Sequence, residues 1–355
     1  MGETEKRELL TISPEWSIPQ LQEKIADAIT GEGPALATGH NQNKFVAEDI
    51  ALAVETSGST GEPKLVAIST SALIASTNAA HKYLGATPGD SWSLLLPTSH
   101  IAGLNVIARA TALGTKVIDN RNVSYYVDAD FVSIVPTQLH RAVNGDAKLL
   151  EHLTAAEAVL VGGGAIPDVL RKSATDKHVK VVTTYGMTEM CRACVYNQKP
   201  LDGVEVQINS AGLVKLRGPM MASNYLNDQT GWNALTNDGW FQTSDLGEFV
   251  DGKLKILGRA DDVIKSGGKK ISLIDIEEKF QKYFPGVEVV AFAVADAEWG
   301  EKLCLGITSN LSLAEVQTKL TGINSPKEIF VLQQIPRTAL GKVDRKAVTK
   351  LAIGN

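Results

Sequence analysis

Cysteine is scarce in this chain, three in 355 residues. An odd count without framework spacing fits a reducing compartment, not a disulfide-stapled secreted fold. Cys191 and Cys194 form a Cys-x-x-Cys pair, but no second pair or Cys/His set accompanies it. The four ligands of a structural zinc are therefore lacking, and packing cysteines are expected there. The six histidines show no metal-ligand spacing, and no Ser-His-Asp signature with a nucleophile elbow is present. Basic excess is missing too: 35 Lys and Arg stand against 40 Asp and Glu, a net charge of -5. No positive field is available to draw a phosphate backbone, so nucleic acid is not an expected partner. No run approaches the roughly 20 apolar residues that cross a bilayer. The charged start Met1-Gly2-Glu3-Thr4-Glu5-Lys6-Arg7-Glu8 has no apolar stretch behind it and does not read as a secretory signal. These absences lead to the expectation of a soluble, cytoplasmic protein with no membrane span. Internal repeats and low-complexity segments are absent as well.

What is present is an ordinary globular composition, 44% hydrophobic and 21% charged, at a length that suits two domains. Between residues 19 and 197, helix-like stretches (19–30, 69–84, 101–113, 137–143, 147–153) alternate with short buried strand-like runs (50–54, 91–96, 117–118, 131–135, 158–161, 179–182). That alternation predicts an α/β layered architecture. From about 197 the texture turns to short strands and turns (204–208, 212–217, 241–250, 253–257), β-rich and barrel-like. Beyond 258 it becomes small α+β, with helices at 275–284 and 313–320, strands at 287–294 and 303–307, and a basic closing helix at 341–351. The expected organisation is a large domain over 1–258, a hinge at 259–263 and a small domain over 264–355.

The most informative stretch is Thr56-Ser57-Gly58-Ser59-Thr60-Gly61-Glu62-Pro63-Lys64. It makes a poor helix or strand and a good loop, whose backbone N–H groups and hydroxyls turn on an anion while Lys64 adds charge. The Gly-Lys-Ser/Thr ending of a nucleoside-triphosphatase P-loop is missing. Gly162-Gly163-Gly164-Ala165 follows a strand; it suits a flat ligand lying on backbone and equally a plain tight turn. Tyr185-Gly186-Met187-Thr188-Glu189 presents an aromatic, a hydroxyl and a carboxylate at another strand end, and the carboxylate suits Mg²⁺. Asp245, in Trp240-Phe241-Gln242-Thr243-Ser244-Asp245, suits a ribose diol as well as a β-turn. Gly258-Arg259-Ala260-Asp261-Asp262 through Gly267-Gly268 fits a hinge. In Pro336-Arg337-Thr338-Ala339-Leu340-Gly341-Lys342-Val343-Asp344-Arg345 a single lysine stands on a glycine turn.

These strings, in this order from 56 to 345, resemble the acyl-adenylate-forming superfamily, which includes acyl-CoA synthetases, peptide-synthetase adenylation domains and luciferases. The resemblance implies that fold, with ATP, Mg²⁺ and coenzyme A as co-substrates and cofactor. It implies that residues 56 to 64 grip the ATP phosphates and that Gly162, Gly163, Gly164, Ala165, Tyr185, Gly186 and Met187 hold adenine. Thr188 would then meet the α-phosphate, Glu189 the Mg²⁺, and Asp245 and Arg259 the ribose. Asp261 would be the hinge, Gly268 would line the CoA passage, and Lys342 would bridge the substrate carboxylate and the α-phosphate. The phosphate loop starts roughly a hundred residues earlier than in most relatives, which implies a reduced amino-terminal subdomain and surface that a homodimer would cover.

Within the superfamily, Pro97-Thr98-Ser99-His100-Ile101-Ala102-Gly103-Leu104, Val135-Pro136-Thr137-Gln138-Leu139 and the triple-glycine string most resemble the o-succinylbenzoate–CoA ligases of menaquinone biosynthesis, shortened forms included. His100 stands where peptide-synthetase domains carry an acidic motif, which disfavours an amino-acid substrate. The implied substrate is a carboxylic acid with an aromatic ring and a second carboxyl. His100, Gly103, Arg109, Gln138 and Gly163 are the expected substrate residues, with Arg141 a further candidate. Competing readings are another aryl or short-chain acyl-CoA synthetase, a carrier-loading adenylation enzyme, and a non-catalytic nucleotide-binding regulator. The last is expected to have lost Glu189 or Lys342, and both are present.

Overall fold

The computed structural model describes residues 6–39, 41–56, 63–192, 194–337 and 343–354. The chain divides into two compact units. The first holds residues 1–207, 215–243 and 251–254; the second holds 208–214, 244–250 and 255–355. The division is thus not a single cut, and residues 259–263 fall inside the second unit.

Two sheets build the first unit. One has the strand order Asn224–Tyr225, Lys64–Ser69, Ile50–Thr56, Ala35–Ala37, Lys6–Thr11, Phe45–Ala47. The other runs Lys199–Pro200, Val195–Tyr196, Val181–Tyr185, Ala158–Gly162, Phe131–Ile134, Trp92–Leu94, Ile118–Asp119. From Val181–Tyr185 to Ile118–Asp119 its strands are parallel. Residues 158–162 are all buried, as expected where helices cover both faces and the strand reads as a continuous apolar run.

Helices Ile18–Thr30, Thr70–Leu84 and Ile101–Ala112 pack on one another. The first two also pack on Ile50–Thr56, and the third on Trp92–Leu94. Against the second sheet lie Pro136–Val143, Ala147–Ala155 and Asp168–Asp176, whose Leu139, Leu149, Leu153 and Leu170 share a core with Val132, Ile134, Val159 and Val161. The helix ends follow local chemistry. Ser17 and Gln20 form a capping box, Ser69 caps the second helix, and Gly31 (φ 84°) and Gly85 (φ 70°) close the two in the left-handed region.

Strands Glu205–Ile208, Leu213–Arg217, Thr236–Asn237, Trp240–Val250 and Lys253–Arg259 make a third, five-stranded sheet within which the division falls. The second unit has its own sheet, in the order Lys269–Ser272, Val263–Ser266, Gly300–Ile307, Val289–Asp296, with Glu328–Val331 pairing parallel to Gly300–Ile307. Helix Leu273–Tyr283 buries Ile276 and Phe280 against Leu303 and Leu305, while helix Arg345–Ile353 places Val348 with Val290 and Phe292. Arg345, the first residue of that last helix, donates to Glu277 at 2.7 and 3.2 Å and to Asp262 at 2.9 Å.

Candidate active site

Strands Ile50–Thr56 and Lys64–Ser69 pair antiparallel, so the phosphate-loop residues connect a hairpin. Ser57, Gly58, Ser59, Thr60 and Gly61 lie outside the described residues, as does Lys342; Thr56 ends the first strand. The second strand is fixed from the far side by strand Asn224–Tyr225 and by Asn227 beyond it. Asn227 accepts from the Leu65 N–H at 2.9 Å and donates to the Pro63 carbonyl at 2.8 Å. Lys64 Nζ lies 3.1 Å from Asp228 Oδ2 and 4.7 Å above the Tyr225 ring. Asp228 also caps helix Gln229–Leu235 through the Gly231 N–H, and that bond, then Lys64, holds its carboxyl below the usual range.

The Tyr225 hydroxyl donates to Glu189 Oε1 at 2.7 Å. Burial first, and the Glu189 charge second, push the Tyr225 phenol far above its ordinary value, so the hydroxyl stays a donor at any working pH. The Glu189 carbonyl accepts from the Ala222 N–H at 2.8 Å. Three chain segments thereby place Lys64, Tyr225 and Glu189 at one corner. Sequence reasoning missed Tyr225, Asn227 and Asp228; the acid and amide just after an aromatic were the available signal.

Parallel strands Ala158–Gly162 and Val181–Tyr185 bring the triple-glycine and Tyr185–Glu189 strings side by side. A Cβ at Gly162 would collide with Thr184 Oγ1, and one at Gly163, whose φ is 87°, with the Arg192 guanidinium. Gly164 meets only Pro136, and Ala165 follows in the connection to helix Asp168–Asp176. Gly186 and Met187 lead into the single turn Thr188–Met190, and the Arg192 N–H returns to the Met187 carbonyl at 2.6 Å. Cys191 and Arg192 are both left-handed, at φ 47° and 79°. The Cys191 carbonyl accepts from Asn105 Nδ2 at 2.8 Å. Both cysteines are buried free thiols, raised by desolvation, Cys194 to about 12.

Beside Gly162 lies a small cavity of about 30 Å³ whose polar lining is Asn105, Arg109, Ser133, Thr184 and Arg192. Arg109 is 3% exposed; its guanidinium donates to the Tyr196 hydroxyl at 3.1 Å and stacks 5.1 Å over Trp92. Arg109 Nε, Asn105 Oδ1 and Ser133 Oγ are buried and have no hydrogen-bond partner. His100 precedes helix Ile101–Ala112, and burial, then Arg192, lower its pKa against the opposing pull of Glu55. It is therefore neutral near pH 7.

The remaining expected residues fall elsewhere. Gln138 spends its amide on local structure, accepting from the Val135 N–H at 3.0 Å and donating to the Leu95 carbonyl at 3.1 Å. Arg141 pairs with Asp146 at 3.0 Å. Gly103 is required for packing, because a Cβ there would strike the Pro97 carbonyl. Asp245 and Arg259 belong to the second unit, where they approach to 3.8 Å. Gly268 there has φ 76° with open space around it. Asp261 sits in the turn Ala260–Asp262.

No group of three or more metal-ligating side chains occurs among the described residues. A single oriented carboxylate, Glu189, suits Mg²⁺, which keeps its waters and takes substrate phosphates as ligands.

The comparisons with known proteins agree with this layout. A probable 2-succinylbenzoate–CoA ligase of Mycobacterium tuberculosis is 32% identical, over 95% of this chain and 95% of that one. The 2-succinylbenzoate–CoA ligase of Lactococcus lactis is 30% identical over 85% of this chain and 71% of its own. Among solved structures, o-succinylbenzoate CoA synthetase of Bacillus subtilis with its acyl-adenylate intermediate superposes with a TM-score of 0.74 at 25% identity, covering 96% of this chain and 78% of that one. The model of the AMP-binding enzyme family matches residues 3–224. With the phosphate-loop hairpin, the glycine-lined strand ends and these matches together, the chain belongs to the AMP-binding enzyme family.

Proposed function

We propose that the protein is an ATP-dependent acid–thiol ligase that converts 2-succinylbenzoate to its CoA thioester, the step named for its relatives and assigned to menaquinone biosynthesis. The observation that carries the adenylating reading is the Lys64–Tyr225–Glu189 corner, where a cation at the loop exit and an oriented carboxylate stand together. The relatives' shared substrate carries the choice of acid.

In the first half-reaction a carboxylate oxygen bonds to the α-phosphorus of ATP, the bond to the β-phosphate oxygen breaks, and pyrophosphate leaves. In the second, the CoA sulfur bonds to the acyl carbon, AMP leaves, and the thiol proton passes to solvent. Bound Mg²⁺ supplies charge neutralisation on the triphosphate. Glu189 is the residue to hold it, and Tyr225 keeps that carboxylate aimed. Residues 56 to 64 hold the phosphates, with Thr188 at the α-phosphate. Gly162 to Ala165 and Tyr185 to Met187 form the adenine bed, and Asp245 and Arg259 take the ribose. Lys342 neutralises the approaching carboxylate. Asp261 serves as the hinge and Gly268 lines the CoA passage in the second conformation. His100, neutral, and Gly103 with Gly163 border the acyl group, and Arg109 answers its second carboxyl. Gln138 acts there only through the loop it caps. The cytoplasm is the proposed compartment; no described helix is long and apolar enough to cross a membrane. A homodimer is proposed as its assembly.

The test is CoA-thioester formation from ATP, Mg²⁺ and a panel of carboxylates, in wild type and Lys342→Ala. The expected result is strongest turnover of 2-succinylbenzoate, with the variant losing acyl-adenylate formation yet converting supplied acyl-adenylate to thioester. Preference for simple benzoates or fatty acids would overturn the substrate. Thioester on a carrier protein but not on CoA would overturn the acceptor.

A further inference from the structure

The cavity beside Gly162 holds more positive charge than the proposed reaction has used. Two of its lining residues are arginines, and neither has a carboxylate partner among the described residues. Arg109 is held by neutral groups alone, the Tyr196 hydroxyl and the Trp92 face. Arg192 lies against Gly163 in a turn that its own left-handed backbone and the Asn105–Cys191 bond hold in place. Desolvation lowers its pKa with no acidic neighbour to offset it. A buried guanidinium without an anion, as at Arg109, is costly, and the partly buried Arg192 adds a second positive charge to the same cavity. Partnerless atoms cluster on the same lining: Arg109 Nε and Ser133 Oγ as donors, Asn105 Oδ1 as an acceptor that a water would serve. A volume of about 30 Å³ takes about two water-sized groups, the number of oxygens in one carboxylate.

We infer that Arg192 is a specificity-determining residue: with Arg109 it forms a two-guanidinium receptor for the carboxyl of the acid substrate that does not react. The inference rests on the acyl-CoA ligase reading above. Arginine suits the task because its planar fork meets both oxygens of a carboxylate at once. Gly163 belongs to the receptor by omission, since any side chain there would displace the guanidinium. The diacid then binds by pairing one buried and one partly buried guanidinium, whereas an acid with a methyl in place of the second carboxyl leaves both without an anion. Such a site discriminates by loss, which is stronger than any gain from added apolar contact.

The experiment compares wild type, Arg192→Gln and Arg192→Lys on 2-succinylbenzoate and on 2-butyrylbenzoate and 4-oxo-4-phenylbutanoate, which each lack one carboxyl. The expected result is that Arg192→Gln lowers the ratio of kcat/KM for the diacid to that for the better monoacid by at least about tenfold. The loss should fall on the diacid's KM, with the monoacid's kcat/KM falling by a much smaller factor and Arg192→Lys recovering part of the ratio. Equal losses on diacid and monoacid, or no loss on either, would overturn the inference while leaving the ligase reading in place. Wild-type inactivity on 2-succinylbenzoate would instead overturn that choice of acid. The same ratio, taken for whichever diacid the enzyme prefers, then decides on Arg192; a wild type that prefers a monoacid overturns the receptor outright. Thermal midpoints of all three proteins separate a folding defect from a binding one.

Discussion

Replacing Tyr225 with Phe removes one oxygen from the corner that joins Lys64 to Glu189. The ring stays, and with it the edge contact to Trp232 at 5.1 Å and the Lys64 stack. What is lost is a 2.7 Å bond to a carboxylate. Hydrogen bonds to charged groups contribute about 1.5–3 kcal/mol. Glu189 is half-buried, so water recovers part of this and about 2 kcal/mol is the expected cost to folding. In a protein of this size that lowers Tm by a few degrees. The functional cost is separate. A metal-holding carboxylate freed from its orienting partner typically loses about 10- to 100-fold in metal affinity or activity. ATP–pyrophosphate exchange, measured against Mg²⁺ concentration, should show half-saturation moving upward by at least about tenfold. Exchange at saturating Mg²⁺ should be partly restored. A variant that melts earlier but keeps its Mg²⁺ half-saturation would show that the bond only stabilises the fold, and the aiming role would be wrong.

Arg345→Ala leaves Glu277 and Asp262 without their cation and should destabilise the second unit by about 3 kcal/mol. That is the low end for a buried pair, because each of the three side chains keeps about a fifth of its surface. A denaturation midpoint equal to wild type would refute it. Stability should also fall with acid. Burial lowers His100 and His152, and lowers His81 to about 4, so the unfolded chain binds more protons between about pH 4 and 6.5 and stability rises with pH across that window. His81 alone accounts for about 3 kcal/mol lost by pH 4, and His81→Gln should flatten that part of the slope; urea midpoints at stepped pH measure it. Finally, Cys191, Cys194 and Cys304 are all buried with raised thiols, so a thiol reagent should label none in the native protein and three after unfolding. Rapid labelling of the native chain would contradict the packing role.

Much of the fold is legible in the sequence because local chemistry and burial agree. Ser17, Gln20 and Gly31 bracket one helix, Ser69 and Gly85 another, and 131–134 and 158–162 are buried along their whole length, with Ser133 the one polar side chain among them. The strands Ala35–Ala37 and Phe45–Ala47 look irregular in sequence; three residues are too few to show a period, and their pairing is decided by strand Lys6–Thr11. Strand Lys64–Ser69 is hidden because its first residue belongs to the loop motif. Gln138 shows how a substrate residue and a structural one share a pattern. A glutamine three residues after Val135, with Pro136 between, is a helix-start signal, and its amide is occupied accordingly. Tyr225 and Arg192 are hard to single out in the sequence for opposite reasons. Tyr225 meets a partner 36 residues away, while Arg192 sits between two cysteines that draw the eye to metal.

The bonds of Arg345 bear on how helix Arg345–Ile353 behaves. A nine-residue helix with a cation at its first position is a candidate for fraying there: nucleation is costly at that length, and the charge opposes the helix dipole. Here the first residue is fastened to Asp262 across 83 residues of chain and to Glu277 across 68. Two acids thus turn an unfavourable cation into an anchor. Opening the helix from its start would strand both carboxylates, so that end should exchange its amide hydrogens at the pace of the sheet beneath it, not of a tail. In sequence, Lys342 stands three residues before Arg345, so the lysine proposed for catalysis is followed directly by this anchor.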